Sequence, residues 1–421
     1  MRSMLSYQAR YCSPENSIFP DFDGFAIVFS KVDCEIKSFG YNYKIKLFLS
    51  VLLKNLRLIN FKNYTDQSVR FDSLFTAVVG PNGSGKTNLL EALHYLSLTR
   101  PMNGSVDAQN IRIGESFFTI IGQFEINEEM VEVRCSVELK EGSTKKELRV
   151  GGKECRRFAD HIGKYPVVTL VPQDIELIWE SGEVRRKFFD QWMSQTDRGY
   201  IEDLIKYQQL LKNRNALLRD ARDGARMDQE LLQFYSEGMI DPATRIAAFR
   251  RAFIDRINPI VRNYYNRLIG LMAESPAEAI QIDYDSKLSD KNFRDLLVET
   301  AGQDQKAGRT TTGPHLDDFH FLLNGGEVRK FGSQGQQKSF LVALKLAMYE
   351  VLTDRTNTKP VLMLDDIFDK MDDNRISNLL EITSGAGFGQ VILTDSSPGR
   401  AMEKLKGYTF GVVKVERGLI V

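Results

Sequence analysis

Two stretches of this chain carry residues whose types and spacing suit phosphate chemistry. The first is G-P-N-G-S-G-K-T, Gly80 to Thr87, which matches the pattern G-x-x-x-x-G-K-[ST]. Gly80, Pro81, Asn82, Gly83, Ser84 and Gly85 would form a loop that wraps an anion, because glycines avoid Cβ clashes. Backbone N–H groups and the start of a following helix would face the negative charge. Lys86 would reach the β and γ phosphates of a nucleoside triphosphate, and the Thr87 hydroxyl would ligate Mg2+. The second stretch is V-L-M-L-D-D, Val361 to Asp366, an apolar run ending in two carboxylates. Such a run suits a central parallel strand buried on both faces. Asp365 at its tip would hold Mg2+, directly or through water, and Asp366 would orient or deprotonate an attacking water. Carboxylates at a sheet end need a cation or donors nearby, which ties the two stretches together.

The elements that must position these residues are legible around them. L-R-L-I-N-F (56–61) alternates as a strand, Asn60 to Tyr64 turns, and 68–71 and 75–79 give two more short strands. The last of these opens the glycine-rich loop. Thr87 to Leu98 reads as a helix with Leu89, Leu90, Leu93 and Leu96 on one face. Stretches 117–126 and 130–140 alternate and predict antiparallel strands ending near Gly151 and Gly152. From about 175 to 300 the pattern is helical, with few strand signals. Leu204, Tyr207, Leu211 and Leu218 form a seam that fits ordinary packing between antiparallel helices or, alternatively, a short coiled-coil arm. Sheet signals return after Gly313, at 319–323, 361–364 and 391–393. The phosphate-binding signals therefore sit at both ends of the chain, with a helical insertion between them.

The 421 residues suffice for two or three domains. Lys and Arg together number 56, equal to Asp and Glu, so any polyanion-binding surface must be a local patch. Cys12, Cys34, Cys135 and Cys155 lack metal-ligand spacing, which argues against a zinc site and suits a reducing cytosol. No convincing signal peptide is present. The apolar run Leu47 to Leu53 is far too short to span a membrane and reads as a strand of the fold. Residues 1 to about 50 show no sustained period and read as a small appendage or a poorly ordered tail.

A third segment, F-G-S-Q-G-Q-Q-K-S-F (331–340), precedes a helix about twenty residues before the acidic strand. It resembles the signature loop of ABC-type ATPases, with Ser333, Gln334, Gly335 and Gln336 standing where that loop has Ser-Gly-Gly-Gln. The resemblance implies that this loop completes the nucleotide site of a second protomer, so that two ATP molecules are sandwiched in a two-fold dimer. From about Leu53 onward the chain resembles the RecF family of bacterial recombination-repair proteins, which are ABC/SMC-like ATPases. The resemblance rests on L-R-L-I-N-F-K-N-Y (56–64), the phosphate loop, P-Q-D-I-E-L-I (172–178) and R-R-K-F-F-D (185–190). It rests equally on R-T-T-T-G-P-H-L-D-D (309–318), S-Q-G-Q-Q-K and L-D-D-I-F-D-K-M-D (364–372).

What this implies for the fold is an α/β, ABC-type P-loop ATPase head with an inserted α-helical second domain. The expected divisions are an extension at 1–52 with a start placed upstream of the family's own, the head at 53–178 and 301–421, and the helical insertion at 179–300. Gln173 would stand in the Q-loop, which couples nucleotide state to the insertion and joins Thr87 and Asp365 at Mg2+. Met371 and Asp372 would form the D-loop. Asp395 falls where many ABC ATPases carry a switch His, which puts a His-assisted step in doubt and agrees with a slow, switch-like ATPase. His315 reads as structural rather than catalytic.

The insertion has a modest excess of Lys and Arg, densest at Arg185, Arg186 and Lys187, at Lys212 and Arg214, and at Arg250 and Arg251. These residues read either as solvated helix faces or as a salt-sensitive, sequence-independent groove for DNA phosphates. The family implies a cytoplasmic protein of DNA repair, replication and the SOS response. Its ATP-driven homodimer would clamp single-stranded and duplex DNA at gapped junctions, with RecR and RecO as partners and weak, DNA-stimulated ATP hydrolysis for release. An ABC-transporter ATPase subunit shares all three motifs and is the alternative. The long helical insertion, the missing switch His and the Ser-Gln-Gly-Gln signature stand against it.

Overall fold

The computed structural model describes residues 26–29, 33–38, 41–46 and 48–421, except 103, 142, 271–277 and 370. It divides into two units, Met1–Leu49 and Ser50–Val421. In the first, β1 (Ala26–Phe29), β2 (Asp33–Ser38) and β3 (Tyr41–Lys46) pair antiparallel in that order, within a segment where the sequence shows no sustained period. The remaining expectations for residues 1–52 fall largely outside the described residues.

The larger unit starts with a long strand, β4 (Leu49–Phe61), which takes in residues 49–53 of the apolar run. It pairs with β5 (Tyr64–Arg70), and β6 (Phe75–Val79) then delivers the chain to the glycine-rich loop. Next comes α1 (Lys86–Leu98). The alternating stretches form β7 (Phe117–Ile126) and β8 (Glu129–Lys140), continued by β9 (Ser143–Val150) and β10 (Lys153–Glu154). These join β4 and β5 in an antiparallel sheet. After β11 (Val167–Leu170) a short helix, α2 (Glu176–Trp179), leads into α3 (Gly182–Thr196), α4 (Arg198–Arg222) and the 40-residue α5 (Gln229–Leu268).

A strand then interrupts the stretch that the sequence reads as helical. I-Q-I-D-Y-D, β12 (Ile280–Asp285), alternates buried and exposed residues. Six residues of alternation are short beside the helical periods around them, which is why the helical pattern hides them. After α6 (Phe293–Ala307), β12 pairs with β13 (Asp318–Leu323), which turns into β14 (Gly326–Glu327). The chain continues through α7 (Val328–Phe331), α8 (Gln334–Thr356), β15 (Thr358–Lys359) and β16 (Val361–Leu364). It ends with α9 (Asp373–Ser384), β17 (Val391–Asp395), α10 (Pro398–Lys404), β18 (Gly411–Glu416) and β19 (Leu419–Ile420).

The central sheet has the order β11-β16-β17-β6-β18-β19, and every pair except β18-β19 is parallel. In it β11, β16, β17 and β6 are buried on both faces, and successive residues serve two different cores. Val78, Val361, Met363 and Ile392 point toward α1 and the antiparallel sheet. Ala77, Val79, Leu362, Leu364 and Leu393 point toward the helical layer. Between the two sheets α1 has almost no exposed face: Leu89, Leu90, Leu93 and Leu96 are all fully buried. On the other side, the seam residues Leu204, Tyr207 and Leu211 of α4 pack with Met239, Ala243, Ile246 and Ile257 of α5 in the same core as the sheet. The seam is thus packing between neighbouring helices, and the helical layer shares its core with the strands that carry the site.

Candidate nucleotide-binding site

Because β11, β16, β17 and β6 run parallel, their carboxyl ends meet along one edge of the sheet, where doubly wound proteins bind ligands. The loop after β6, the carboxylates after β16, the end of β17 and the turn after β11 all open there. Asn82, Gly83, Gly85, Lys86, Thr87, Asn88, Pro172, Gln173, Asp365, Asp366 and Thr394 line a single cleft. Gly80, Pro81 and Ser84 complete the loop behind it.

The loop is held from outside by groups the motif does not contain. Asn63 Nδ2 donates to the Ser84 carbonyl at 2.9 Å, Tyr64 OH to the Gly85 carbonyl at 3.0 Å, and Gly418 N–H to the Ser84 carbonyl at 2.8 Å. Asn88 Nδ2 donates to Asn63 Oδ1 at 2.8 Å, tying the helix to the same clamp. Gly85, the N-cap of α1, has φ 116°, and a Cβ there would collide with the Asn63 side chain. No other residue type fits that backbone and that space. The clamp fixes the Ser84 and Gly85 carbonyls on the outside of the loop. Lys86, 7% exposed, folds its Nζ onto the carbonyls of Gly80 (2.8 Å) and Pro81 (3.1 Å). Ser84 Oγ is buried with no hydrogen-bond partner among the described residues. A buried ammonium and an unpaired hydroxyl in a glycine cradle fit a phosphate chain.

Thr87 Oγ1 donates toward both oxygens of Asp365, at 2.9 and 3.1 Å. These oxygens form the kind of donor set a hard divalent cation takes, so the residues present fit Mg2+. Asp365 is held in turn by Thr394 Oγ1 at 2.7 Å, and the same hydroxyl accepts the Asp366 backbone N–H at 2.9 Å. Thr394 therefore sets the position of both acids. Alternation along β17 puts Thr394 and Asp395 on opposite faces, but only the pairing of β17 beside β16 brings Thr394 to the acids. Asp395 turns away from the cleft. It is fully buried and bound by Arg400 at 2.6 and 3.0 Å and by the Ser397 N–H, so it fastens the start of α10.

Beside Gln173, Asp174 is gripped by Lys345 of α8. The lysine Nζ, 2.7 Å from both Asp174 Oδ1 and the Thr169 carbonyl, lies 4.8 Å from the Phe188 ring centroid. The signature segment lies elsewhere. Ser333 caps α8 through the Gln336 N–H at 3.3 Å, and Gln336 Oε1 returns to the Ser333 N–H at 2.8 Å. Ser333 and Gln334 are exposed, and none of residues 333–336 lines the cleft of this chain. Asp372 caps α9, accepting the Arg375 N–H at 3.0 Å, and Met371 packs half-buried on the core.

The basic residues proposed for DNA divide sharply. Arg250 is 2% exposed and bound by Asp190 (2.8 Å), Asp317 (3.0 Å) and the Pro314 carbonyl (2.7 Å). Arg214 is 3% exposed and pairs with Asp304 at 2.8 Å. Arg185 forks onto Asp318 at 2.8 and 2.9 Å, and Arg186 donates to the Asp317 carbonyl at 2.6 Å. The expectation that Arg214 and Arg250 face DNA is thereby corrected: both are sunk beneath the G-P-H-L-D-D segment and bind it or its supports. Adjacency of charges along a helix does not say which side of the helix they occupy. Lys187, Lys212 and Arg251 remain exposed. His315 accepts from Tyr207 OH (2.7 Å) and donates to the Thr310 carbonyl (3.2 Å), and burial pushes its pKa down to about 4, so it is a neutral packing group.

A parallel sheet that brings a phosphate loop and an acidic strand end into one cleft, with a helical layer on its other side, is the head of a P-loop ATPase of the ABC/SMC type. A family model described as RecF/RecN/SMC N terminal domain matches residues 52–420. The DNA replication and repair protein RecF of Cytophaga hutchinsonii is 36% identical over 371 residues, covering 87% of this chain and 96% of that protein. The same protein of Flavobacterium johnsoniae is 38% identical over 348 residues, covering 83% and 95%. A solved structure of the recombination mediator protein RecF-ATP in the RecFOR pathway superposes with TM-score 0.78 at 27% identity, covering 89% of this chain and 98% of that one. The chain belongs to the RecF family. Among the described residues no helix is long and apolar enough to cross a membrane.

Proposed function

We propose that this chain is an ATP-driven DNA clamp of recombinational repair and replication restart. Residues 53–178 and 301–421 act as one head and 179–300 as the insertion that answers it. The phosphate loop grips the triphosphate through Lys86 and its backbone N–H groups. Thr87 and Asp365, with Gln173 beside them, would hold Mg2+, which neutralises phosphate charge when bound. Asp366 orients water for a slow hydrolysis. Ser333 to Gln336 meet the triphosphate of a second copy, and the two heads close around DNA at a single-strand gap. Exposed Lys187, Lys212 and Arg251 supply salt-sensitive phosphate contacts. RecR and RecO are the partners with which the clamp helps load recombinase on single-stranded DNA, and hydrolysis, stimulated by DNA, releases it in the cytoplasm.

One observation carries this reading: the signature turn is capped, exposed at Ser333 and Gln334, and absent from the cleft of its own chain, which leaves it available to another. Sedimentation with and without ATP and gapped DNA tests it. Wild type should shift to a DNA-bound dimer only with ATP, and Lys86→Ala should stay monomeric. Dimerisation and DNA binding that persist in Lys86→Ala would count against the clamp.

A further inference from the structure

Arg375 lies in the first turn of α9 and connects two segments that the clamp would present to the other protomer. Its Nε is 3.2 Å from Asp372 Oδ2, while its backbone N–H is capped by the same carboxylate. Beyond that pair the guanidinium reaches the signature turn, where a Cβ added to Gly335 would collide with Arg375 Nη1. Gly335 is not among the positive-φ glycines, so its backbone alone would admit a side chain. The space a side chain would need is filled by Arg375. From the other side, Gln336 Nε2 donates to Glu278 Oε1 at 2.8 Å, and Glu278 also accepts from Tyr265 OH. The signature turn is thus braced on two sides, by Glu278 and by Arg375.

We propose that Arg375 is a positioning residue that fixes the signature turn to the D-loop, so that both meet the partner's triphosphate as one rigid surface. The inference rests on the dimer reading above. Two loops ordered separately would each lose conformational freedom on docking, and a brace already formed in the monomer removes much of that cost. A planar guanidinium can pair with Asp372 along one edge while lying against Gly335, whereas a lysine ammonium cannot do both. A two-fold dimer contains the brace twice, so its loss counts twice.

The test uses the full chain with R375A, R375K, G335A and the R375A/G335A double variant. Binding of a fluorescent ATP analogue at low protein concentration reads the chain's own phosphate loop, and sedimentation with ATP reads dimerisation. Thermal melting checks the fold, with R375Q replacing R375A if the latter is grossly destabilised. Analogue affinity in R375A should stay within about twofold of wild type, because Arg375 does not line that cleft. The dimer dissociation constant should rise roughly tenfold, and R375K should not restore it. G335A should displace the guanidinium and reproduce R375A, and the double variant should be no worse than R375A alone.

R375A dimerising as well as wild type would overturn the brace. So would full rescue by R375K, which would make Arg375 a simple positive charge toward phosphate. Additive losses in the double variant would mean that the Gly335 side chain obstructs the nucleotide directly, and would also overturn it. A wild type that stays monomeric with ATP would instead sink the clamp, and this inference with it.

Discussion

Replacing Thr394 by Val removes one hydroxyl and almost no volume. That hydroxyl donates to Asp365 at 2.7 Å and accepts the Asp366 N–H at 2.9 Å, so both acids lose a support together. A hydrogen bond to a charged group is worth about 1.5–3 kcal/mol. Most of that should appear in the reaction rather than in binding, because the phosphate loop is untouched. T394V should lower kcat for ATP hydrolysis about ten- to a hundred-fold, with nucleotide affinity changed less than about threefold. T394S, which keeps the hydroxyl, should recover most of the rate. Stability should fall by about 1–2 kcal/mol, because the Asp366 N–H loses its acceptor. Steady-state ATPase assays at saturating ATP, a nucleotide titration and a denaturant melt give the three numbers. If T394V hydrolyses ATP within twofold of wild type, Thr394 does not position the acids and the assignment of roles at this strand end is wrong.

Lys345→Met should cost roughly 3–5 kcal/mol, because Asp174 is left partly buried without its cation, and K345M paired with D174N should recover part of the loss in chemical denaturation. Gly85→Ala should abolish nucleotide binding in an isothermal titration, since a side chain at φ 116° strains the backbone and drives Asn63 from the loop. His315 makes stability depend on pH. Its pKa falls from 6.5 in the unfolded chain to about 4 in the folded one, so between those values only the unfolded chain binds the proton. Stability should therefore rise from pH 4 to pH 6.5 and level off above, with roughly 3 kcal/mol at stake from this group. His315→Gln should flatten that part of a melting-versus-pH profile, and an unchanged slope would show that the histidine is not held neutral.

Lys86, Thr87, Asp365 and Asp366, which share one cleft, stand out in the chain because each motif is a local pattern with a local reason. A glycine loop after a strand and two acids after an apolar run need no distant partner to be recognised. The groups that hold them were not readable. Thr394 lies more than three hundred residues from Lys86 in sequence, and only the parallel pairing of β17 with β6 brings them together. Asn63, Tyr64 and Asn88 are ordinary turn and helix residues until the loop is seen beside them. The same limit explains Arg214 and Arg250. Their charge suggested a surface, but the acids that bury them, Asp304 and Asp317, come from a segment sixty or more residues away. The strand β12 was missed for a different reason, since its alternation is brief and flanked by strong helical periods. The class of fold was legible because three motifs stand in the order of ABC-type ATPases and the apolar run before the two acids suits a parallel strand buried on both faces.

The strand order of the central sheet has a consequence for synthesis. Phe75 pairs with Val391 and Thr76 with Gly411, so the strand that opens the phosphate loop finds both neighbours only more than three hundred residues further along the chain. An emerging chain must therefore carry β6 with both of its edges unpaired while more than three hundred residues follow. Such late closure slows folding and favours help from chaperones on the ribosome. Nonsense truncations upstream of β17 should yield products that hold the whole glycine loop yet never bind a nucleotide.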